Sequence, residues 1–184
     1  GLAKAAGAEG INVAGICCTA NEILVRRGLP VAGNFLQQEL AILTGAIEVM
    51  VVDIQCIMPG VAQAAKHFHT RVISTSPKAS IPGAEVILFH EDKALDTAKQ
   101  IIKIAIDNYK KRDRSRINIP KESMELVAGF TAENIFYHLG GKFRGSYKPL
   151  NENIANGRIR GVAGVVGCDN PKMGSGAHHV ALVK

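Results

Sequence analysis

Cys17, Cys18, Cys56 and Cys168 are the residues of this 184-residue chain whose type and setting point to chemistry. They fall at three places, and each place closes an apolar stretch just before an expected helix start. Leading into Gly15-Ile16-Cys17-Cys18-Thr19-Ala20-Asn21-Glu22, the side chains of Ile11, Val13 and Ile16 read as a buried strand, 11–17. Thr19 and Glu22 fit a capping box, and Gly28 and Pro30 close the short helix that follows. Cys18 is thereby expected one residue outside a helix N-terminus, where the macrodipole favours thiolate over thiol. Thiolates are the donors that soft metals prefer.

The elements that must position these thiols alternate along the chain. The run Ile47-Glu48-Val49-Met50-Val51-Val52-Asp53-Ile54 predicts a buried strand that leads into Gln55-Cys56-Ile57-Met58-Pro59. Pro59 suits the first turn of a helix over 61–68. Residues 31–35 predict a short extended piece, 37–43 a helix stopping near Gly45, and 71–75 and 85–89 two further strands. Apolar spacing at Leu95, Ala98, Ile101, Ile102, Ala105, Ile106 and Tyr109 predicts the longest helix over 93–111. Beyond it, 125–130 reads as a strand, 132–139 as a helix, 140–149 as a loop and 150–157 as a helix. Gly161-Val162-Ala163-Gly164-Val165-Val166-Gly167 reads as a last strand, ending in Cys168-Asp169-Asn170-Pro171-Lys172. The expected fold class is α/β, a doubly wound and mostly parallel sheet of Rossmann-like type, because parallel strands need crossovers and helices cover both faces.

In a parallel sheet the carboxyl ends of the strands share one edge, where open α/β proteins bind ligands. Three cysteine sites repeating the order strand, cysteine, helix start would converge there. Taken singly, each cysteine is more often a buried small hydrophobe; the joint pattern favours a shared site. A Cys17–Cys18 disulfide would strain the backbone. Zinc accepts thiolates, but no CxxC pair supplies two close ligands, and widely separated single cysteines suit a larger inorganic cluster better.

Composition narrows the rest. A hydrophobic content of 47% is ordinary for a folded domain, and the net charge of +6 comes from scattered basic residues, so nucleic-acid binding is not indicated. No apolar run approaches the roughly 18 residues of a membrane span. The expectation is a soluble, cytoplasmic protein. Gly1 in place of a methionine, and a last element from about 178 that breaks off while still apolar, predict that 1–184 is a central α/β segment of a longer polypeptide, truncated at both ends. His67, His69, His178 and His179 lie near helix ends and are not expected to ligate metal. Glycines 161, 164 and 167 do not form GxGxxG, which leaves dinucleotide binding unsupported. Asp53 is expected to tie down the cysteine loop that follows it.

Three stretches, Gly15 through Glu22, Val52-Asp53-Ile54-Gln55-Cys56-Ile57-Met58-Pro59 and Val166-Gly167-Cys168-Asp169-Asn170-Pro171-Lys172, together resemble the catalytic subunit of the anaerobic nickel-iron carbon monoxide dehydrogenases. Gln37-Gln38-Glu39-Leu40, Ile73-Ser74-Thr75-Ser76-Pro77-Lys78 and Val127-Ala128-Gly129-Phe130 extend the likeness along the chain. The resemblance implies a nickel-iron-sulfur cluster that interconverts carbon monoxide and water with carbon dioxide, protons and electrons. It implies that Cys18, the catalytic candidate, holds the iron outside the cubane-like core, and that Cys56 and Cys168 hold irons within it. Cys17 stays open between a spare thiolate beside the cluster and a packed residue. Implied partners are a second copy of the parent subunit in a homodimer, an electron-acceptor protein and acetyl-CoA synthase, with 4Fe-4S clusters elsewhere in the parent. The family's upstream histidine ligand and two further downstream cysteines have no counterpart among these residues, so the segment alone is expected to be inactive. Two other readings are a hybrid-cluster hydroxylamine reductase and a non-catalytic α/β binding module with structural thiols.

Overall fold

The computed structural model describes residues 1–20, 24–123, 125, 131–139, 142, 145–167, 173–174 and 176–184. The chain forms two compact units, Gly1–Gly129 and Phe130–Lys184.

The first unit opens with helix α1 (Leu2–Ala5), strand β1 (Gly15–Ile16) and the one-turn helix α2 (Cys17–Thr19). Strand β2 (Val31–Gly33) runs parallel to β1. A second sheet holds β3 (Val49–Val52), β4 (Arg71–Ser74) and β5 (Glu85–Val86), all parallel and in that order. Helices α3 (Gln38–Leu43) and α4 (Gly60–Ala65) precede and follow β3, and α5 (Ala94–Tyr109) is the longest helix. The expectation of an α/β fold with parallel strands is met.

Alternation along β3 decides where the core sits. Met50 and Val52 are buried and join Ile42 of α3, Val61 and Ala65 of α4 and Val72 of β4 in one apolar cluster, while Val51 on the opposite face is half exposed. Fully burying side chains such as Ile42 and Val61 contributes about 1.5–3 kcal/mol each. Ile16, Ile57 and Met58 pack against the same cluster from its margin.

At the amino end of β3 the contacts are polar. Asn108 near the end of α5 is buried and donates from Nδ2 to the carbonyl of Glu48 at 2.9 Å and also to that of His69, fastening the helix to the starts of β3 and β4. Thr70 Oγ1 donates to the Ile47 carbonyl at 2.7 Å. Glu48 Oε1 accepts from Arg112 Nε at 2.7 Å and lies 3.1 Å from His69 Nε2. His69 thus pairs with Glu48 at the entrance of β3.

Several expected elements differ. The strand over 11–17 contracts to Gly15–Ile16, because among the described residues 11–14 have no ladder partner, and they stay exposed. Pro59 is the residue before the first turn of α4, with φ −56°, and α4 ends at Ala65. The expected capping role of Thr19 does not hold: Thr19 lies inside α2, whose preceding residue is the extended Ile16, so Cys18 sits within that turn and not outside a helix N-terminus. Glu22 lies outside the described residues.

The second unit contains α6 (Ala132–Leu139), α7 (Lys148–Ala155) and α8 (Ala177–Val183). Phe136 of α6 meets Tyr147 edge-on, with ring centroids 4.5 Å apart. The helix expected over 150–157 starts two residues earlier, and Pro149 takes its place in the first turn, where no N–H is needed. Residues 161–167 are not a strand: among the described residues they have no ladder partner, and Val162 and Val166 are 87% and 88% exposed. Three glycines in seven residues weaken the extended conformation, and nothing in the described part of this unit pairs with it. Of the strand expected over 125–130, residues 126–130 lie outside the described residues and Glu125 is irregular.

Candidate metal centre

Strand β1 delivers the first thiol pair. Gly15 donates its N–H to the Pro30 carbonyl at 3.0 Å and is enclosed so tightly that a Cβ there would lie 2.6 Å from the Ala20 Cα. Only glycine lets the chain fold back so closely. Ile16 continues extended, and the backbone then reverses at Cys17, whose φ is +59°. Cys18 follows on α2 with its side chain exposed.

Strand β3 delivers the next. Beyond Val52 the chain turns at once: Asp53 is exposed and its Oδ1 accepts the Ile54 N–H at 2.7 Å. Asp53 therefore lies past the strand and ties down the start of the cysteine loop, as expected. The loop ends at Cys56, exposed and with φ +56°. Its carbonyl accepts from Gln38 Nε2, and the Met58 N–H donates to Gln38 Oε1 at 2.9 Å. Gln38 is only 6% exposed, so a buried carboxamide grips the loop on both sides of Ile57.

Cys17 and Cys56 are, among the described residues, the non-glycine residues with positive φ. A side chain in that region is held against a steric penalty of about 1–3 kcal/mol, and such residues concentrate at functional sites. Each turns the chain after a parallel strand, and each neighbours a residue on the same apolar cluster, Ile16 in one case and Ile57 in the other. No sequence signal marks these turns, because left-handed positions are ordinarily read from glycine or asparagine.

Cys18 and Cys56 are unpaired by disulfide and exposed, and the donor chemistry of two accessible cysteine sulfurs fits an iron-sulfur or nickel-iron-sulfur group. Among the described residues no three His, Cys, Asp or Glu side chains come together as a ligand set. Cys168, the third expected ligand, lies outside the described residues. No helix among them is long and apolar enough to cross a membrane.

Parallel strands that lead into sharp turns bearing the exposed Cys18 and Cys56 define an α/β domain. The chain belongs to the Prismane/CO dehydrogenase family, whose model matches residues 2–184. It is 52% identical over 183 residues to carbon monoxide dehydrogenase 1 of Methanosarcina mazei, a match covering 100% of this chain and 28% of the relative. A solved carbon monoxide dehydrogenase of Thermococcus sp. AM4, described as nickel-free as isolated, superposes with a TM-score of 0.75 at 51% identity, over 98% of this chain and 28% of that one. A second solved structure, described as showing NiZn-Fe4S4 and NiNi-Fe4S4 clusters in alpha subunits of acetyl-CoA synthase/carbon monoxide dehydrogenase, matches with a TM-score of 0.73 at 44% identity, over 92% of this chain and 26% of that one. The chain thus spans about 28% of the length of the first relative.

Proposed function

We propose that this chain is the central α/β segment of a carbon monoxide dehydrogenase catalytic subunit and that Cys18, Cys56 and Cys168 hold irons of its nickel-iron-sulfur cluster. The observation that carries the reading is the pair of cysteine turns, Cys17-Cys18 and Cys56, which expose Cys18 and Cys56, each turn following a parallel strand and each anchored beside one apolar core. When bound, such a cluster supplies the oxidation of carbon monoxide with water to carbon dioxide, two protons and two electrons. The chain's own part is to present thiolates at fixed positions. Cys18 is assigned to the iron outside the cubane-like core, Cys56 and Cys168 to irons within it, and Cys17 sets the turn that aims Cys18. Carbon monoxide, carbon dioxide and water are the substrates of this reading. Homodimerisation of the parent subunit, an electron-acceptor protein, 4Fe-4S clusters elsewhere in the parent, an acetyl-CoA synthase partner and a cytoplasmic site belong to the same proposal. The names of the relatives favour it over a hydroxylamine reductase or a non-catalytic binding module.

The test is anaerobic preparation of the full-length subunit carrying Cys18→Ala, Cys56→Ala or Cys168→Ala. Iron and nickel content and the electron paramagnetic spectrum are then compared with wild type. Loss of nickel and of the cluster signal in each variant is expected. Three variants with unchanged metal content and spectra would sink the ligand assignment.

A further inference from the structure

We infer that Gln38 is a positioning residue for the Cys56 ligand, coupling that loop to the strand pair that carries Cys17 and Cys18. The inference rests on the proposed ligand role of Cys56. Its geometry does not.

Cys56 bends the chain in a left-handed conformation that a cysteine adopts only if its surroundings hold it there. Asp53 secures only the front of the turn, through the adjacent Ile54 N–H. The back is secured by Gln38, which accepts the Met58 N–H at 2.9 Å and donates to the Cys56 carbonyl. The carboxamide supplies a donor and an acceptor from one side chain, which an acceptor-only carboxylate or a donor-only ammonium would not. Because the grip is on the main chain, the thiol itself remains exposed and available to a ligand.

Gln38 is in turn placed by the other cysteine-bearing sheet. Strand β2 pairs with β1 through Gly15 and Val31, then runs into a capped turn in which Asn34 Oδ1 accepts the Leu36 N–H at 2.9 Å and Gln37 Oε1 accepts the Asn34 N–H at 2.7 Å. Gln38 is the next residue and opens α3. A continuous path of ladder, capped turn and buried amide therefore connects the residue before Cys17 to the carbonyl of Cys56.

The experiment uses the full-length subunit with Gln38→Met, which keeps length and loses both bonds, and Gln38→Glu, which keeps the acceptor for Met58 and loses the donor. In chelator-treated, metal-free protein, the Met58 amide should exchange faster and Cys56 should alkylate faster in Gln38→Met, while Cys18 alkylation serves as the internal reference. In metal-loaded protein, metal retention against a competing chelator should fall by about 10-fold or more, with an altered paramagnetic spectrum, and Gln38→Glu should keep Met58 protected yet still shift the spectrum. Unchanged Met58 exchange and Cys56 alkylation in Gln38→Met would overturn the grip itself. Faster exchange with unchanged retention and spectrum would overturn the positioning role. Failure of the ligand reading shows separately, as Cys56→Ala that keeps its cluster, because the exchange and alkylation readouts need no metal.

Discussion

Arg112 reaches Glu48 across 64 residues of sequence, its Nε donating to Oε1 at 2.7 Å while its Nη2 donates to the Ala46 carbonyl at 2.8 Å. The guanidinium thereby seals the turn that feeds β3. With both side chains largely shielded, removal of the carboxylate leaves a cation without its counter-charge, which costs more than loss of an exposed pair.

Glu48→Ala should therefore lower the free energy of local opening at β3 by about 1–3 kcal/mol. Native-state hydrogen exchange at the amides of Met50 and Val52 measures it. Protection in Glu48→Ala within about 0.3 kcal/mol of wild type would show that the pair contributes nothing measurable.

Cys56→Gly should separate stability from chemistry. Glycine takes φ +56° without steric penalty, a relief of about 1–3 kcal/mol, offset by an entropic cost of about 0.5–1 kcal/mol. In metal-free protein the loop should be at least as protected from exchange as in wild type, while metal-loaded protein loses the cluster signal. A loop that opens more readily in Cys56→Gly would show that no strain is stored there.

Acid should weaken the β4–β5 junction through Glu85. Arg71 donates to it from both Nε, at 2.6 Å, and Nη2, and this bonding holds the Glu85 carboxyl below its ordinary range. A carboxyl depressed in the folded state contributes stability that is present above the unfolded value, about 4.3, and is lost as pH falls through the lower folded one. Because the two side chains are 35% and 45% exposed, the contribution is at most about 1 kcal/mol. The thermal midpoint of Glu85→Gln should lie below that of wild type near neutral pH, and the gap should close on acidification. A gap that widens in acid would reverse the assignment.

The parallel α/β plan was legible because β3 is an apolar run and β4 centres on Val72 and Ile73, and because α5 carries a clear apolar stripe. The placement of Cys56 after a strand followed from the β3 run, and that of Cys18 from the apolar residues up to Ile16. The backbone at Cys17 and Cys56 was not legible, since both are non-glycine residues at positive φ and the Cys56 loop is held by the distant Gln38. Residues 161–167 misled for a related reason: valines between glycines look extended whether or not a neighbouring strand exists to pair with them, and pairing is a property of the partner. Thr19 shows the same limit, as a competent capping residue used inside a turn.

Strand β3 spans only Val49–Val52, yet it keeps an ionic knot at its entrance and a metal-binding candidate at its exit. Substitutions that toughen this domain can therefore be placed at Glu48, Arg112 and Asn108, at the opposite end of β3 from the Cys56 loop, without touching a thiol.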